Sequence, residues 1–160
     1  MIRYLLLTLL SLTTFIVQAD VQINITGEIY SPPCTINNGE NIIIDFKNIN
    51  IETVDNTSGG VTKTINIKCS YTNGFPRINV IGNKLEGQNN VLATNITNFG
   101  IALFQGTGPS PIKLGEGNNR LMAGIGSSTF TFTSVPFKNG SGTLSPGAFK
   151  ATARMNIFYQ

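Results

Sequence analysis

The chain has 160 residues and a formal net charge of +3, with two cysteines and neither histidine nor tryptophan. The absence of histidine excludes Ser-His-Asp and Cys-His nucleophile activation, and two cysteines are too few for a four-cysteine zinc site or an iron–sulfur cluster. The basic residues are scattered along the chain, so no nucleic-acid surface is expected. We therefore predict a single domain that carries no metal and no cofactor.

Residues 1–19 have the pattern of a secretory signal peptide. Arg3 gives a positive start, an apolar run extends from Leu5 to Val17, and Val17 and Ala19 place small residues before Asp20. The alternative is a membrane anchor, but the apolar run is shorter than the roughly 20 residues that a spanning helix needs. We predict export and a mature chain of 141 residues, which is 160 less the first 19.

The start of the predicted mature chain alternates apolar and polar residues. The apolar face comprises Val21, Ile23, Ile25, Gly27 and Ile29, and Pro32 and Pro33 end the run. Such alternation predicts a β-strand with one apolar face. The pattern alone also fits an ordinary strand of a closed sandwich.

Cys34 and Cys69 are the two cysteines of the chain. In an oxidising compartment a single pair is most simply a structural disulfide. Closing a loop of about 35 residues contributes roughly 3–4 kcal/mol in the chain-entropy account. A redox-active pair is the alternative, but it usually requires CxxC spacing, which is far narrower.

The rest of the chain favours an all-β fold, because Ile, Val, Thr and Phe alternate with polar residues between breaks rich in Gly, Asn, Ser and Pro. Asn73-Gly74 and Asn139-Gly140 are the best turn dipeptides, and the Gly-rich stretch from Gly106 to Asn119 predicts a mobile surface loop. The predicted strands are Ile42–Ile49, Val61–Cys69, Arg77–Ile81, Phe99–Gln105, Thr129–Phe137 and Phe149–Tyr159.

Both ends of the mature chain resemble chaperone-usher pilins. Ile23 to Cys34 reads Ile-x-Ile-x-Gly-x-Ile-x-x-x-Pro-Cys, which is similar to the N-terminal extension of these proteins. At the other end, Gly147 is the fourteenth residue from the end and Tyr159 is the penultimate one, with alternating apolar residues between them. Three shorter stretches, 34–39, 88–94 and 128–137, resemble the minor adaptor subunits of fibre tips.

The resemblance implies an incomplete immunoglobulin-like sandwich of six strands that lacks its seventh. It implies a donor-strand extension at 20–33 and a pilin domain at 34–160. A periplasmic chaperone, and later the extension of the next subunit at an outer-membrane usher, would fill the open groove by strand addition. The implied groove-strand residues are Gly147, Phe149, Ala151, Ala153, Met155, Ile157 and Tyr159.

The implied function is that of a structural tip adaptor on the bacterial surface, which joins an adhesin to the next subunit and has no small-molecule substrate. A terminating subunit with a blocked groove and a rod subunit remain open within the family. A carbohydrate-binding tip lectin is the alternative outside that role, although the chain lacks tryptophan and has no room for a second domain. An enzyme is not expected, because the eight acidic residues show no pairing. Sequons at Asn24, Asn56, Asn95 and Asn139 are interpreted as surface and turn residues.

Overall fold

The structure is a computed structural model and describes residues 21–30, 34–70, 76–115, 120–121 and 129–159. Contacts divide the chain into two units, Met1–Tyr30 and Ser31–Gln160. In the first unit, residues 21–30 belong to no helix and to no strand. None of the helices in the described ranges is long and apolar enough to span a membrane. The predicted signal peptide and the Asn73-Gly74 turn lie outside the described residues.

The second unit is an all-β fold of two antiparallel sheets. Across the described ranges the strands are β1 Thr35–Ile36, β2 Val61–Lys68, β3 Pro76–Gly82, β4 Val91–Ala93, β5 Phe99–Gln105, β6 Ser110–Pro111, β7 Arg120–Leu121, β8 Thr129–Lys138 and β9 Ala153–Tyr159. In the larger sheet the strands follow the order β1-β2-β8-β5-β4, with β6 beside β5, and in the smaller sheet the order is β7-β3-β9. Single turns of 3₁₀ helix occur at Asn37–Gly39 and Ile51–Thr53.

The two sheets share one apolar core. On β2 the alternation places Ile65 and Ile67 inside, and on β8 it places Phe130 and Phe132 inside. The outward-facing threonines of these two strands pair across the ladder, with Oγ1–Oγ1 distances of 2.8 Å for Thr62–Thr133 and for Thr64–Thr131. The period of two therefore separates a buried face from a polar face, as the sequence predicts.

The predicted disulfide is confirmed. Cys34 precedes β1 and Cys69 follows β2, and these strands pair through Thr35 and Lys68. The Cα atoms of the two cysteines lie 4.2 Å apart, so the bond closes the end of an existing antiparallel ladder.

Four of the six predicted strands are confirmed. The observed β2, β3, β5 and β8 match the predicted Val61–Cys69, Arg77–Ile81, Phe99–Gln105 and Thr129–Phe137 to within one residue at each end. The last predicted strand is only partly right, because the ladder of β9 begins at Ala153 rather than Phe149. Its partner β3 ends at Gly82, which is paired with Ala153, so residues 149–152 have no strand beside them on that edge.

The predicted strand Ile42–Ile49 is wrong. Residues 40–50 belong to no ladder, although Ile42, Ile44 and Phe46 pack against the core. The Asp45 carboxylate accepts a hydrogen bond from the backbone N–H of Lys47 at 2.8 Å, and Lys47 has a φ of 57°. This local turn ends the extended run before Ile49.

The predicted mobile loop from Gly106 to Asn119 is also wrong over residues 110–115. Strand β6 pairs with β5 there, and Ile112 and Leu114 are fully buried. The backbone N–H of Ile112 donates to Leu103, and that of Leu114 donates to Asn89. Glycine content alone does not reveal these anchoring residues.

Candidate strand-binding groove

The N-terminal extension exposes its apolar residues. Val21, Ile23, Ile25 and Ile29 are 79%, 80%, 91% and 102% exposed. Large apolar side chains in a regular row are rarely left in water unless they serve binding. A side chain built on Gly27 would meet no atom within 4 Å, so this position tolerates substitution in the first unit itself.

A groove runs between two chain segments of the second unit. The first wall is residues 36–54, and the second wall is residues 144–155. Two recesses, with volumes of about 710 and 670 Å³, lie between these walls and have Ile44 in common. The first recess is lined by residues 43–49, 51, 54 and 144–149, with Ile96 and Phe99. The second is lined by residues 36, 39–42, 44 and 151–155, with Val80, Leu92, Leu103, Ile112 and Phe132.

The floor of the second recess belongs to the hydrophobic core. Its five floor residues are buried and come from both sheets: Val80, Leu92, Leu103, Ile112 and Phe132. The core therefore opens directly onto the groove between the walls. Such an opening is costly in water and favourable for an apolar side chain that enters it.

The walls lack the strand that would join them. Strand β9 pairs with β3 along one edge and ends the order of its sheet, while residues 40–50 of the first wall pair with no strand among the described residues. The backbone groups at such an edge can form a ladder with an added strand. An extended segment with alternating apolar residues has the shape and the backbone groups that such a groove can pair with.

The second wall contains the C-terminal residues singled out by the sequence. Phe149, Ala151, Met155 and Ile157 pack against the core, whereas Gly147 and Ala153 are exposed and no side-chain position is described for Tyr159. The Phe149 ring lies edge-on to Phe99 with centroids 4.9 Å apart, and 6.1 Å from the ring of Phe46 on the first wall. Phe149 thus links the two walls above the first recess.

No pattern in the sequence indicates that Asn95 holds this part of the wall. The Asn95 side chain donates from Nδ2 to the carbonyl of Ala148 at 3.0 Å and accepts at Oδ1 from the N–H of Lys150 at 2.7 Å. These two bonds replace backbone hydrogen bonds that a neighbouring strand would form with this segment, beyond the point where β3 ends. We call the pair of bonds the Asn95 bracket.

Two other sequon asparagines also bind backbone at a distance. Asn56 exchanges two hydrogen bonds with the backbone of Lys138, of 3.1 and 2.6 Å, and Asn139 donates to the carbonyl of Glu86 at 3.2 Å. The expectation that these residues lie at the surface and in turns is incomplete, since each joins segments far apart in sequence. A sequon pattern gives no sign of such a role.

The charged groups with shifted pKa values are exposed and lie on or just after the first wall. The salt bridge between Lys47 Nζ and Asp45 at 2.7 Å lowers the pKa of Asp45 and raises that of Lys47. Hydrogen bonds from the hydroxyl and N–H groups of Ser58 and Thr57 hold the pKa of Asp55 well below its usual value. Within the described ranges, no cluster of three or more metal-ligating side chains occurs.

The chain belongs to the fimbrial protein family, whose profile, described as "Fimbrial protein", matches residues 23–160. It is 58% identical over 166 aligned residues both to minor fimbrial protein PrsF and to fimbrial adapter PapF of Escherichia coli, with 99% of each chain covered. The predicted family is thus confirmed, and family members are components of surface fimbriae.

Solved structures agree with the fold. A structure of the P pilus adaptor subunit PapF matches with a TM-score of 0.64 and 56% identity over 83% of this chain and all of that one. That structure concerns the structural determinants of the polymerisation reactivity of PapF. The P pilus rod subunit PapA matches with the same TM-score at 19% identity, over 87% of this chain and all of that one, which supports the fold alone. The predicted immunoglobulin-like, all-β class is confirmed.

Proposed function

We propose that the chain is an adaptor subunit of a fimbria, which accepts a strand in its groove and donates its own extension to the preceding subunit. One observation supports this most directly: a single chain carries both a segment with a row of exposed apolar side chains and a groove with no strand in it. The apolar segment of one molecule has the pattern that would fill the groove of a neighbouring molecule. The 58% identity to an adapter subunit favours this position over a rod or terminating subunit.

The donated strand is residues 20–33, with Val21, Ile23, Ile25 and Ile29 entering the partner's groove. Each of these side chains contributes about 1.5–3 kcal/mol when it leaves water, or roughly 6–12 kcal/mol for the four. Gly27 breaks the apolar row and faces a shallow part of the partner's groove. The ladder formed by the new strand supplies further backbone hydrogen bonds.

The groove strand of the proposed acceptor is Gly147 to Tyr159. Until a subunit arrives, this edge and the open core form an aggregation hazard, because both favour non-specific pairing. A periplasmic chaperone therefore occupies the groove first, and the exchange takes place at an outer-membrane usher. The role needs no catalysis, and its neighbours are a tip adhesin on one side and another pilin on the other.

Expression in the periplasm with and without a pilus chaperone tests the open groove. The proposal expects soluble protein with the chaperone and aggregation or proteolysis without it. A stable soluble monomer in the absence of chaperone contradicts the incomplete fold.

Two variants of the extension separate donation from folding. Deletion of residues 20–29 is expected to leave chaperone binding intact and to abolish addition to the preceding subunit. Gly27→Leu is expected to slow addition, because the new side chain meets the shallow part of the groove, while Thr26→Leu adds the same side chain on the other face and serves as the control. Equal rates of addition for the two leucine variants would contradict the proposal that Gly27 faces the partner's groove and Thr26 faces away from it.

A further inference from the structure

The two walls of the second recess carry opposite charges that do not pair. Glu40 on the first wall and Arg154 on the second both line this recess, and both are exposed. Among the described residues the one ion pair joins Lys47 to Asp45, which leaves Glu40 and Arg154 without a partner of opposite charge within 4.0 Å. A strand placed between the walls would lie beside both side chains.

The solvent-facing edge of the second wall is basic. Lys150, Thr152 and Arg154 are exposed, and they alternate with residues that face the core or the groove. Of these residues, Thr152 and Arg154 line the second recess, and Lys150 precedes them on the same wall. On the first wall, by contrast, Asp45 is neutralised by Lys47.

The formal charges of the two parts of the chain have opposite signs. Residues 34–160 contain ten Lys and Arg against six Asp and Glu, and residues 20–33 contain Asp20 and Glu28 without any basic residue. Opposite net charges accelerate the encounter of two surfaces and disfavour wrong partners.

We propose that the strand received by this groove carries an acidic side chain on its solvent-facing edge, beside Arg154. The inference rests on the proposed function and specifies the partner: an extended segment with alternate apolar residues and a carboxylate between them. Side chains directly opposite on neighbouring strands have Cβ atoms about 4.5–5.5 Å apart, which lets a carboxylate meet the guanidinium. Arginine binds carboxylates through two parallel hydrogen bonds, whereas Glu40 on the opposite wall repels a carboxylate, so the acidic side chain is placed on the Arg154 side of the groove.

The extension of this chain has the chemistry that the proposal requires. Glu28 lies on its polar face, next to the apolar Ile29. A synthetic peptide of residues 20–30 is therefore a suitable probe for the groove of a second copy.

The experiment measures binding of the labelled peptide to the full mature chain, which is refolded with its disulfide intact in the presence of excess peptide so that the open groove is filled as it forms. Arg154→Glu is expected to weaken binding by roughly two- to tenfold at low salt, with the difference shrinking at high salt. A peptide with Glu28→Lys is expected to reverse the preference and to bind the Arg154→Glu chain better than the wild type. Glu40→Gln should strengthen binding of the original peptide.

Two controls distinguish this inference from the proposed function. Lys68→Glu makes the same change of net charge at an exposed residue of β2 that lines neither recess, and is expected to leave binding nearly unchanged. An Ile25→Asn peptide should fail to bind whatever the charges. Equal binding of the original peptide to wild type and Arg154→Glu, or equal losses with Arg154→Glu and Lys68→Glu, overturns the charge inference alone. Failure of the original peptide to bind at all overturns the inference that this groove takes a segment of that chemistry, whereas the adaptor role, in which the groove receives the extension of a different subunit, is tested separately by the chaperone-dependent expression.

Discussion

Replacing Asn95 by alanine tests the bracket that holds the second wall. The change removes two hydrogen bonds, of 3.0 Å to the carbonyl of Ala148 and 2.7 Å from the N–H of Lys150. Each such bond contributes about 0.5–1.5 kcal/mol net, and because the site is exposed, water replaces part of the loss. We expect Asn95→Ala to lower the free energy of unfolding by about 1–2 kcal/mol.

The bracket also fixes Phe149, which lies between its two backbone contacts and packs against Phe99. Urea unfolding followed by circular dichroism measures the loss of stability, and amide exchange at Lys150 reports the opening of the bracket directly. Asn95→Asp keeps an acceptor for Lys150 but no donor for Ala148, so its stability should lie between those of the wild type and the alanine variant.

Asn66→Ala, at an exposed position on β2, is the matched control and should change stability by less than about 0.5 kcal/mol. If Asn95→Ala were no more destabilising than Asn66→Ala, with Lys150 exchange unchanged, the bracket would have no structural role.

Three further predictions concern the fold. Replacing Cys34 and Cys69 by serine opens a link between residues separated by 35 positions and should lower stability by roughly 3–4 kcal/mol in a denaturant titration, whereas a loss below about 1 kcal/mol would contradict the entropy account. The Ser134 hydroxyl is fully buried and has no hydrogen-bond partner in the described part of the chain, so Ser134→Ala should leave stability unchanged or raise it by up to about 1–2 kcal/mol, and clear destabilisation would imply a hidden partner. The pKa of Asp55 is lowered in the folded state, so its stabilising effect is complete above the ordinary value of 3.8 and is lost as the pH falls below it. Asp55→Asn should therefore flatten the dependence of stability on pH below about 4 in acid-unfolding curves, and identical curves for the two proteins would contradict the role of its hydrogen bonds.

The local sequence pattern was sufficient to predict a strand and its buried face where that strand pairs with another strand of the same chain. The alternation around Ile65 on β2 and around Phe130 on β8 predicts both the strand and its buried face, because side-chain direction in a strand depends only on the residue count. The disulfide was likewise predictable, since a chain with two cysteines has a single possible internal pairing. The mobility predicted for residues 110–115 was wrong, because burial of Ile112 depends on distant residues.

The two walls of the groove show the limit of sequence pattern. Ile42 and Ile44 on one wall, and Phe149 and Ala151 on the other, face the core as their alternation predicts, yet none of them belongs to a ladder. Alternation reports which side of a segment meets apolar surroundings, while ladder hydrogen bonds require a second segment at the correct distance. Likewise, only the fold brings Asn95 to the backbone of residues 148–150.

The sequence by itself determined the all-β class, the disulfide, the apolar extension and, through its motifs, the pilin family. Tertiary structure decided where strands stop and which backbone edges remain open, because β3 ends at Gly82 and β9 has no neighbour on its other side among the described residues. It also decided that Glu40 and Arg154 lie on opposite walls of one recess, although they are 114 positions apart in the sequence. The physical reason is that the direction in which a side chain points along a strand is a local property. Strand pairing and the placement of charged side chains near one another depend on segments far apart in the chain.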